Sequence, residues 1–278
     1  MSRQNAAIQL MLLLMLLRVD HLEDDRMDDL VTLYVDLLEH TLTGAISEEP
    51  GHTPSLMPVI PLPYNEKARL FGTDWPLRSM TMIGLTRIRH LGQVVRRVIA
   101  ERIPGDLIET GVWRGGACIY MRAMLAVLGD MERRVWVADS FAGLPPPDPA
   151  HFPADAGDLL HRVQFLRVSL DQVKANFARF NMLDGRVRFL PGWFKDTLPT
   201  APIERLAILR LDGDMYESTI NALDALYDKV SPGGFVIIDD YNALPSCKQA
   251  IQDFRGRHGI TSMLEPIDNL AAFWRVAT

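Results

Sequence analysis

The stretch Leu107-Ile108-Glu109-Thr110-Gly111-Val112-Trp113-Arg114-Gly115-Gly116 joins a short apolar run to a glycine-bearing turn, and a helical pattern over Ala117–Leu128 follows at once. The run Leu107–Glu109 has the length and apolar character of a strand that is covered on both faces of a sheet. Glycine accepts backbone conformations that other residues avoid, and the start of a helix offers unpaired N–H groups to a ligand. The stretch therefore predicts a strand–turn–helix unit, which either a cofactor loop or a purely structural turn would produce.

The same alternation of strand and helix continues along the chain. Further short apolar runs predict strands over Val135–Ala138, Val187–Leu190, Leu206–Leu211 and Phe235–Ile238. Helical spacing predicts helices over Leu170–Asn181, behind a capping box that begins at Ser169, over Glu217–Lys229 and over Lys248–His258. This pattern is typical of an α/β fold with a doubly wound, mostly parallel sheet, which binds ligands at the carboxyl ends of its strands. The last apolar runs, Ser262–Glu265 and Ala272–Val276, predict an antiparallel hairpin at the sheet edge.

Composition excludes several classes of protein. The 278 residues include 29 Lys and Arg against 35 Asp and Glu, a net charge of −6 that argues against a nucleic-acid partner. Cys118 and Cys247 lie far apart, so we expect neither a disulfide framework nor a structural zinc site, and a cytoplasmic location fits best. The apolar run Leu10–Leu17 is about half the length that spans a bilayer, so we expect no membrane partner. The run resembles a signal-peptide core, but no cleavage site follows it, and an amphipathic or partner-binding helix is the favoured interpretation.

The N-terminal residues differ in pattern from the rest. Residues 8–17 and 27–46 have helical spacing, whereas residues 47–65 carry five prolines and predict a linker or covering loop. A helix is predicted over Ile83–Ile103, closed by Pro104-Gly105. We therefore expect an N-terminal helical lid over residues 1–80 and a catalytic domain over residues 81–278.

Three successive strand ends indicate a nucleoside cofactor. The dinucleotide fingerprint G-x-G-x-x-G is not met, because Trp113 stands at the second glycine position and its bulk would block a pyrophosphate. A cofactor without phosphate, S-adenosylmethionine, fits better. The second strand ends in Asp139, which could accept hydrogen bonds from ribose hydroxyls or could cap a helix. The third strand ends in Pro191-Gly192-Trp193-Phe194, whose aromatic rings could bound an adenine or could belong to the core.

Two further strand ends carry acids. The run Leu206–Leu211 leads directly into Asp212, and Phe235–Ile238 leads directly into Asp239 and Asp240. Neighbouring parallel strands lie about 4.8 Å apart, so these carboxylates should meet at one edge. Such close like charges need a cation, and all-oxygen ligands suit Mg²⁺ or Ca²⁺. Asp-Gly turns and Asp-Asp helix caps remain the structural alternatives.

A metal beside a methyl-sulfonium donor indicates O-methylation. A hydroxyl on Mg²⁺ loses its proton more readily, and Asp212 is placed to act as general base and orienting ligand. His161, in the loop after the second strand, is the competing base, and no hydrolase elbow appears. The acceptor could be a sugar hydroxyl or a catechol-like phenol. A nicotinamide-dependent oxidoreductase is the alternative from another class, and it would need a pyrophosphate to fit at Trp113.

Six segments together resemble the macrocin O-methyltransferase family, which includes the mycinamicin and novobiocin sugar methyltransferases. They are Thr81–Gly84, Glu109–Cys118, Val135–Phe141, Val187–Thr197, Asp212–Asp214 and Ile237–Tyr241. The resemblance runs from about Leu33 to the C-terminus. It is patchy over Gly143–Val168, it differs over residues 47–65, and it has no counterpart for residues 1–27. The loop Gly143–Val168 and residues 47–65 should line the acceptor pocket.

The resemblance implies a Rossmann-like class I methyltransferase with a seven-stranded, mostly parallel sheet. It also implies Mg²⁺-dependent methylation, by S-adenosylmethionine, of a deoxysugar hydroxyl on a macrolide-like natural product, and a homo-oligomer such as a dimer or tetramer. It assigns the metal to Asp212, Asp239 and Asp240 and makes Asp212 the base. It places cofactor contacts at Thr81, Met82, Glu109, Gly111, Asp139, Ser140, Gly192, Trp193 and Phe194, with Met82 also facing the acceptor.

Overall fold

The computed structural model describes residues 27–52 and 60–277. The helix predicted over residues 8–17, with its apolar run, lies outside the described residues, as do residues 53–59 of the proline-rich segment. Internal contacts divide the chain into two compact units, Met1–Leu38 and Glu39–Thr278. The lid–domain boundary expected at residue 80 stays a prediction. Within residues 27–52 and 60–277, no helix is both long enough and apolar enough to cross a membrane.

The described part of the first unit, residues 27–38, is helical, as the spacing from residue 27 predicts. In the second unit, residues 39–43 are also helical, and turns follow to residue 48. We label the helical residues 27–38 of the first unit α1.

A small substructure precedes the main sheet in the second unit. Strand β1, Gly51–His52, pairs antiparallel with β2, Trp75–Pro76. Between them, α2 runs over Glu66–Phe71, begins where Ala68 N donates to Asn65 Oδ1 at 2.8 Å, and ends at Gly72 in the left-handed region. The sequence predicted a loop over residues 47–65, where β1 lies, and no element over residues 66–80, because such short elements show no clear periodicity.

The main sheet has seven strands in the order β5-β4-β3-β6-β7-β9-β8. Its strands are β3 (Asp106–Thr110), β4 (Val135–Asp139), β5 (Val187–Pro191), β6 (Leu206–Leu211), β7 (Val230–Ile238), β8 (Glu265–Pro266) and β9 (Ala272–Arg275). Strands β3 to β7 pair in parallel, while β9 pairs antiparallel with both β7 and β8. The predicted mostly parallel sheet and its antiparallel edge hairpin are confirmed.

The helices around the sheet lie close to their predicted positions, except for the short α6, which the sequence did not predict. They are α3 (Gly84–Ala100), α4 (Gly116–Val127), α5 (Leu170–Arg179), α6 (Phe194–Thr197), α7 (Tyr216–Leu226) and α8 (Pro245–Arg257). The predicted cap of α5 is present, since Gln172 N donates to Ser169 Oγ at 3.3 Å. Strand β7 begins five residues before its predicted start, because the sequence Ser231-Pro232-Gly233-Gly234 resembles a turn, and the β6–β7 pairing is irregular there.

The order of the strands positions the site. From β3 the chain builds outward through β4 to β5, then returns to place β6 on the other side of β3. Thr110 pairs with both Ala138 and Leu211, and Leu211 pairs with Ile238, so four neighbouring strands end almost level. The crevice where the strand order reverses is the usual ligand site of such a sheet.

Candidate active site

A cavity of about 610 Å³ opens at the carboxyl ends of the parallel strands. Its size falls within the usual range for small-molecule sites. The sequence-predicted residues that line it are Met82, Gly111, Asp139, Ser140, Gly192, Trp193, Phe194, Asp212, Asp239 and Asp240. The structure thus brings together all the predicted site residues except Thr81 and Glu109, which lie buried outside the cavity lining.

The three predicted metal ligands form a cluster. One carboxylate oxygen from each of Asp212, Asp239 and Asp240 lies within 4.8 Å of the others. Asp239 and Asp240 are only 5% and 9% exposed, whereas the Asp212 side chain is 24% exposed and reaches the cavity. This donor set consists of hard oxygen atoms and suits a divalent cation such as Mg²⁺ or Ca²⁺.

The surroundings of these acids disfavour their negative charge. Burial, with a further contribution from Asp239, raises the pKa of Asp212 to about 6, although Arg210 opposes the shift. Burial and neighbouring carboxylates also raise the pKa of Asp240 and Asp214 well above the usual value for aspartate. Asp214, which the sequence analysis did not select, has a positive φ of 61° and donates its N–H to Asp240 Oδ2 at 3.3 Å.

Arg210 is the second-last residue of β6, close to the acids, and its side chain is 1% exposed. Its guanidinium pairs with Glu109 Oε1, with Asp212 Oδ2 at 2.7 Å and with Asp239 Oδ1. Three carboxylates from three strand ends therefore share one buried cation. A charged residue within an otherwise apolar strand was the available sequence signal, and the sequence analysis passed over it.

The loop after β3 approaches the end of β6 closely at Gly111. Gly111 has φ 86°, and a Cβ atom there would lie 1.8 Å from the carbonyl oxygen of Asp212. Only glycine fits this backbone contact. Trp113 follows with φ 47°, and its indole N–H donates to the carbonyl of Phe165 at 3.0 Å. The guanidinium of Arg114 lies 4.0 Å from the centre of the Trp113 ring.

Asp139 connects the first and second strand ends. Its Oδ2 accepts from Val112 N at 2.8 Å, and its Oδ1 accepts from Phe141 N at 2.6 Å. No helix begins at Asp139, so the helix-cap alternative does not describe it. A carboxylate has about four acceptor positions. Ser140 Oγ also donates to Oδ1 at 3.5 Å, so one position remains for a ribose hydroxyl.

The third strand end forms another part of the cavity wall. Gly192 N donates to the carbonyl of Asp139 at 2.9 Å, and the short helix α6 begins at Phe194. Trp193 and Phe194 are partly buried and both line the cavity. The aromatic residues predicted to bound an adenine therefore lie beside Asp139.

Glu109 and Thr81 support the site from behind its wall. Glu109 is 2% exposed and accepts from Cys118 Sγ at 2.9 Å as well as from Arg210. Burial raises the pKa of Glu109 to about 7 against the opposing effect of Arg210. Thr81 is 5% exposed, and its Oγ1 accepts from Ile83 N at 3.4 Å.

Known proteins resemble this chain over most of its length. The family model described as Macrocin-O-methyltransferase (TylF) matches residues 31–276. The chain belongs to the macrocin-O-methyltransferase family. It is accordingly an S-adenosylmethionine-dependent O-methyltransferase, which decides against the nicotinamide-dependent alternative.

Individual relatives agree with the family. Over 253 residues the chain is 49% identical to 8-demethyl-8-(2,3-dimethoxy-alpha-L-rhamnosyl)-tetracenomycin-C 4'-O-methyltransferase of Streptomyces olivaceus. The matched region covers 89% of this chain and 94% of the relative. Over 248 residues it is 46% identical to mycinamicin III 3''-O-methyltransferase of Micromonospora griseorubida, with 88% and 96% covered. The solved structure of the O-methyltransferase NovP matches with a TM-score of 0.84 and 46% identity over 89% of this chain and 100% of that one. These matches confirm the class I methyltransferase fold.

This macrocin-O-methyltransferase also contains a buried helix cap that the sequence did not reveal. Asp155, 1% exposed in the loop after β4, accepts from Tyr216 N at 2.7 Å and from Glu217 N at 2.9 Å. It thereby caps α7, the helix that follows Asp212. His161, the competing base, does not line the cavity, and its Nε2 accepts from Arg162 Nε at 3.4 Å.

Proposed function

We propose that this enzyme transfers a methyl group from S-adenosylmethionine to a deoxysugar hydroxyl on a macrolide-like natural product, with Mg²⁺ held by Asp212, Asp239 and Asp240. The observation that carries the proposal is the clustering of these acids in the cavity that Gly111 and Asp139 also line. The sugar acceptor is inferred from the relatives, whose names specify methylation of a rhamnosyl tetracenomycin and of mycinamicin III.

The chain's own residues fit this metal. Three buried or half-buried carboxylates lie within 4.8 Å of one another. Arg210 and Arg87 supply two positive charges to them, but these arginines also pair with Glu109 and Asp268, so negative charge is left to neutralise. When bound, Mg²⁺ would stabilise the deprotonated form of an acceptor hydroxyl. Asp212 is the most exposed of the three acids, and we assign it the removal of the hydroxyl proton.

The donor would be held by the first three strand ends. The close contact between Gly111 and the Asp212 backbone holds the loop after β3 at the cavity, where its backbone would lie against the cofactor. Asp139 would accept from a ribose hydroxyl. Trp193 and Phe194 would bound the adenine ring. Thr81 and Glu109 are buried behind the cavity wall, and we assign them to the cofactor site as residues that hold this wall in place. Met82 lines the cavity and would face donor and acceptor together.

The acceptor side of the cavity combines an apolar wall with a few polar groups. Much of the wall comes from the loop Gly143–Val168, whose likeness to the family was patchy, and from the segment that carries β2. The apolar residues are Trp75, Leu144, Pro145, Pro146, Leu160 and Leu166. The polar ones include Asn221 and Lys195, whose Nζ lies 3.3 Å from Glu217 Oε1. This combination fits a sugar attached to an apolar scaffold.

The acceptor class is tested by direct turnover. The purified enzyme is incubated with S-adenosylmethionine, Mg²⁺ and, in separate reactions, the demethyl rhamnosyl tetracenomycin, mycinamicin III and catechol. Mass spectrometry then identifies methylated products. We expect a methylated sugar from at least one glycosylated acceptor. Methylation of catechol alone would refute the sugar assignment in favour of a phenol methyltransferase.

The metal and the base are tested in the productive reaction. EDTA should abolish turnover and Mg²⁺ should restore it, whereas EDTA-insensitive activity would refute the tri-aspartate site. Asp212→Asn should lower kcat by about 10²- to 10⁴-fold, the usual contribution of general base catalysis. Asp148→Asn is the matched control, because Asp148 also lines the cavity but pairs with His151 at 2.7 Å outside the acid cluster.

We also infer a cytoplasmic homo-oligomer, a dimer or tetramer, that binds no nucleic acid. The net charge of −6 supports the last point. Light scattering after size exclusion measures the assembly, and a monomeric mass at micromolar protein would contradict it.

A further inference from the structure

Arg87 links three parts of the cavity wall. It lies in the first turn of α3, is 7% exposed and lines the cavity. Its Nη1 pairs with Asp239 Oδ2, and its Nη2 donates to the carbonyls of Phe71 and Gly72 at 3.2 and 3.1 Å. Its Nε forms an ion pair of 3.3 Å with Asp268 Oδ2.

Each of these contacts leads to a different segment. Asp239 follows β7 and belongs to the acid cluster. Gly72 ends α2 and, with Thr73 and Trp75, lines one side of the cavity. Asp268 holds the turn before β9, because its Oδ1 accepts from Leu270 N and from the next residue's N–H at 2.8 Å each. One guanidinium therefore connects an acid of the cluster to two cavity walls.

The junction beneath Arg87 is closely packed. A Cβ atom on Gly72 would lie 2.3 Å from Arg87 Nη2, and one on Gly84 would lie 2.3 Å from Gly72 N. Both glycines have a positive φ, of 60° and 75°. Because no side chain fits between α2 and α3 at this point, a shift of the guanidinium must be transmitted to the Gly72 backbone.

We propose that Arg87 is a positioning residue that couples the metal ligand Asp239 to the Gly72–Trp75 wall, so that metal binding orders this wall. The inference rests on the proposed metal site. It requires the fork geometry of arginine, which reaches a carboxylate and backbone carbonyls at once, and not merely a positive charge. If Arg87 were only a counter-ion to the acids, lysine would replace it.

The coupling is measurable without any acceptor. Amide hydrogen exchange of Thr73, whose N–H donates to Ala68 O at 3.0 Å, reports on the wall. The amide of Glu101, at the far end of α3, is the internal reference. We compare exchange with and without saturating Mg²⁺, after calorimetry has measured Mg²⁺ binding to each variant. In the native enzyme, Mg²⁺ should slow Thr73 exchange at least about five-fold, the lower end of typical couplings between sites, and leave Glu101 unchanged.

Two variants and one control complete the experiment. Arg87→Lys and Arg87→Gln should bind Mg²⁺ yet lose its effect on Thr73, and should speed Thr73 exchange about ten-fold even without metal, because hydrogen bonds from a charged group are lost. Arg96→Gln, on the exposed side of the same helix, should behave as native. Asp268→Asn keeps the turn's acceptor and should reduce the coupling in part, which provides a test if the Arg87 variants fail to fold.

The outcomes are distinct. Native coupling in Arg87→Lys, or Mg²⁺ binding without any change at Thr73 in the native enzyme, would overturn the inference. Absence of Mg²⁺ binding to the native enzyme would overturn the metal site and the metal coupling together. In that case the metal-free comparison still decides whether Arg87 positions the wall, since equal Thr73 exchange in Arg87→Lys and the native enzyme would refute that role.

Discussion

Replacing Arg210 by methionine tests the charge balance beneath the site most directly. Methionine replaces the aliphatic stem of arginine but carries no charge, so Arg210→Met leaves Glu109, Asp212 and Asp239 without their shared cation. Removing one partner of a buried ion pair typically costs about 3–5 kcal/mol, because a buried charge is left uncompensated. We expect the free energy of unfolding to fall by an amount within that range. Protonation of the acids limits the loss, because it removes their uncompensated negative charge.

Arg257→Met is the matched control. Arg257 also pairs with an aspartate, Asp224, at 2.8 Å, but both side chains are about half exposed. Exposed pairs contribute about 0–1 kcal/mol. The free energies of unfolding of the two variants, measured with urea, should therefore differ by about 3 kcal/mol. The melting temperature of Arg210→Met should fall by about 10 °C. Equal free energies of unfolding for the two variants would refute the reasoning.

The same substitution has a pH signature. Burial raises the pKa of Glu109 to about 7 while Arg210 opposes the shift, so without Arg210 the pKa of Glu109 rises further. An acid whose pKa is higher in the folded than in the unfolded state binds more protons when folded, so folded-state stability falls as pH rises. The deficit of Arg210→Met relative to native should therefore widen from pH 5 to pH 8. Adding Glu109→Gln should recover part of the loss, and a double-mutant cycle measures how much.

Three further predictions concern other parts of the fold. Burial lowers the pKa of His90 to about 4, so on acidification His90 takes up a proton in the unfolded state before it does so in the folded state. The free energy of unfolding of the native enzyme, measured with urea, should therefore fall by about 1–2 kcal/mol between pH 7 and pH 5. His90→Leu should not show this fall. Asp155→Ala should cost about 1–2 kcal/mol through loss of the α7 cap, whereas Asp155→Asn, which keeps an acceptor, should cost less. Gly111→Ala should abolish S-adenosylhomocysteine binding in calorimetry, because its Cβ meets backbone at 1.8 Å, while Gly129→Ala, with φ 76° and open space, should bind normally.

The acid cluster was accessible to sequence reasoning because parallel-sheet geometry is regular. A strand that leads directly into an acid places it at the carboxyl edge, and neighbouring strands bring such acids together. Asp212, Asp239 and Asp240 could therefore be assigned to one site before any coordinates were considered. The cofactor loop and Asp139 followed from the same rule, and the structure places them in the same cavity.

The supporting residues could not be found in this way. Arg87 lies on the apolar face of α3, four residues before Leu91, so the helical spacing marks it as unusual but does not identify its partner. Asp155 lies in an irregular loop without periodicity, and Asp268 lies in a turn where aspartate is common. Each acts through a contact between segments distant in the chain, such as the 152 positions between Arg87 and Asp239. Local pattern carries no information about such pairs.

The contacts of Asp239 suggest a different role for it from that of its two neighbours. Both of its oxygens pair with an arginine, Oδ1 with Arg210 and Oδ2 with Arg87, so its negative charge is already largely balanced within the protein. Asp212 meets an arginine through one oxygen only, and Asp240 pairs with none within the described residues. The charge that would attract the proposed cation therefore comes mainly from Asp212 and Asp240. Asp239 would instead connect a bound metal to the sheet through Arg210 and to the cavity wall through Arg87, so its loss should disturb the wall more than the charge of the site.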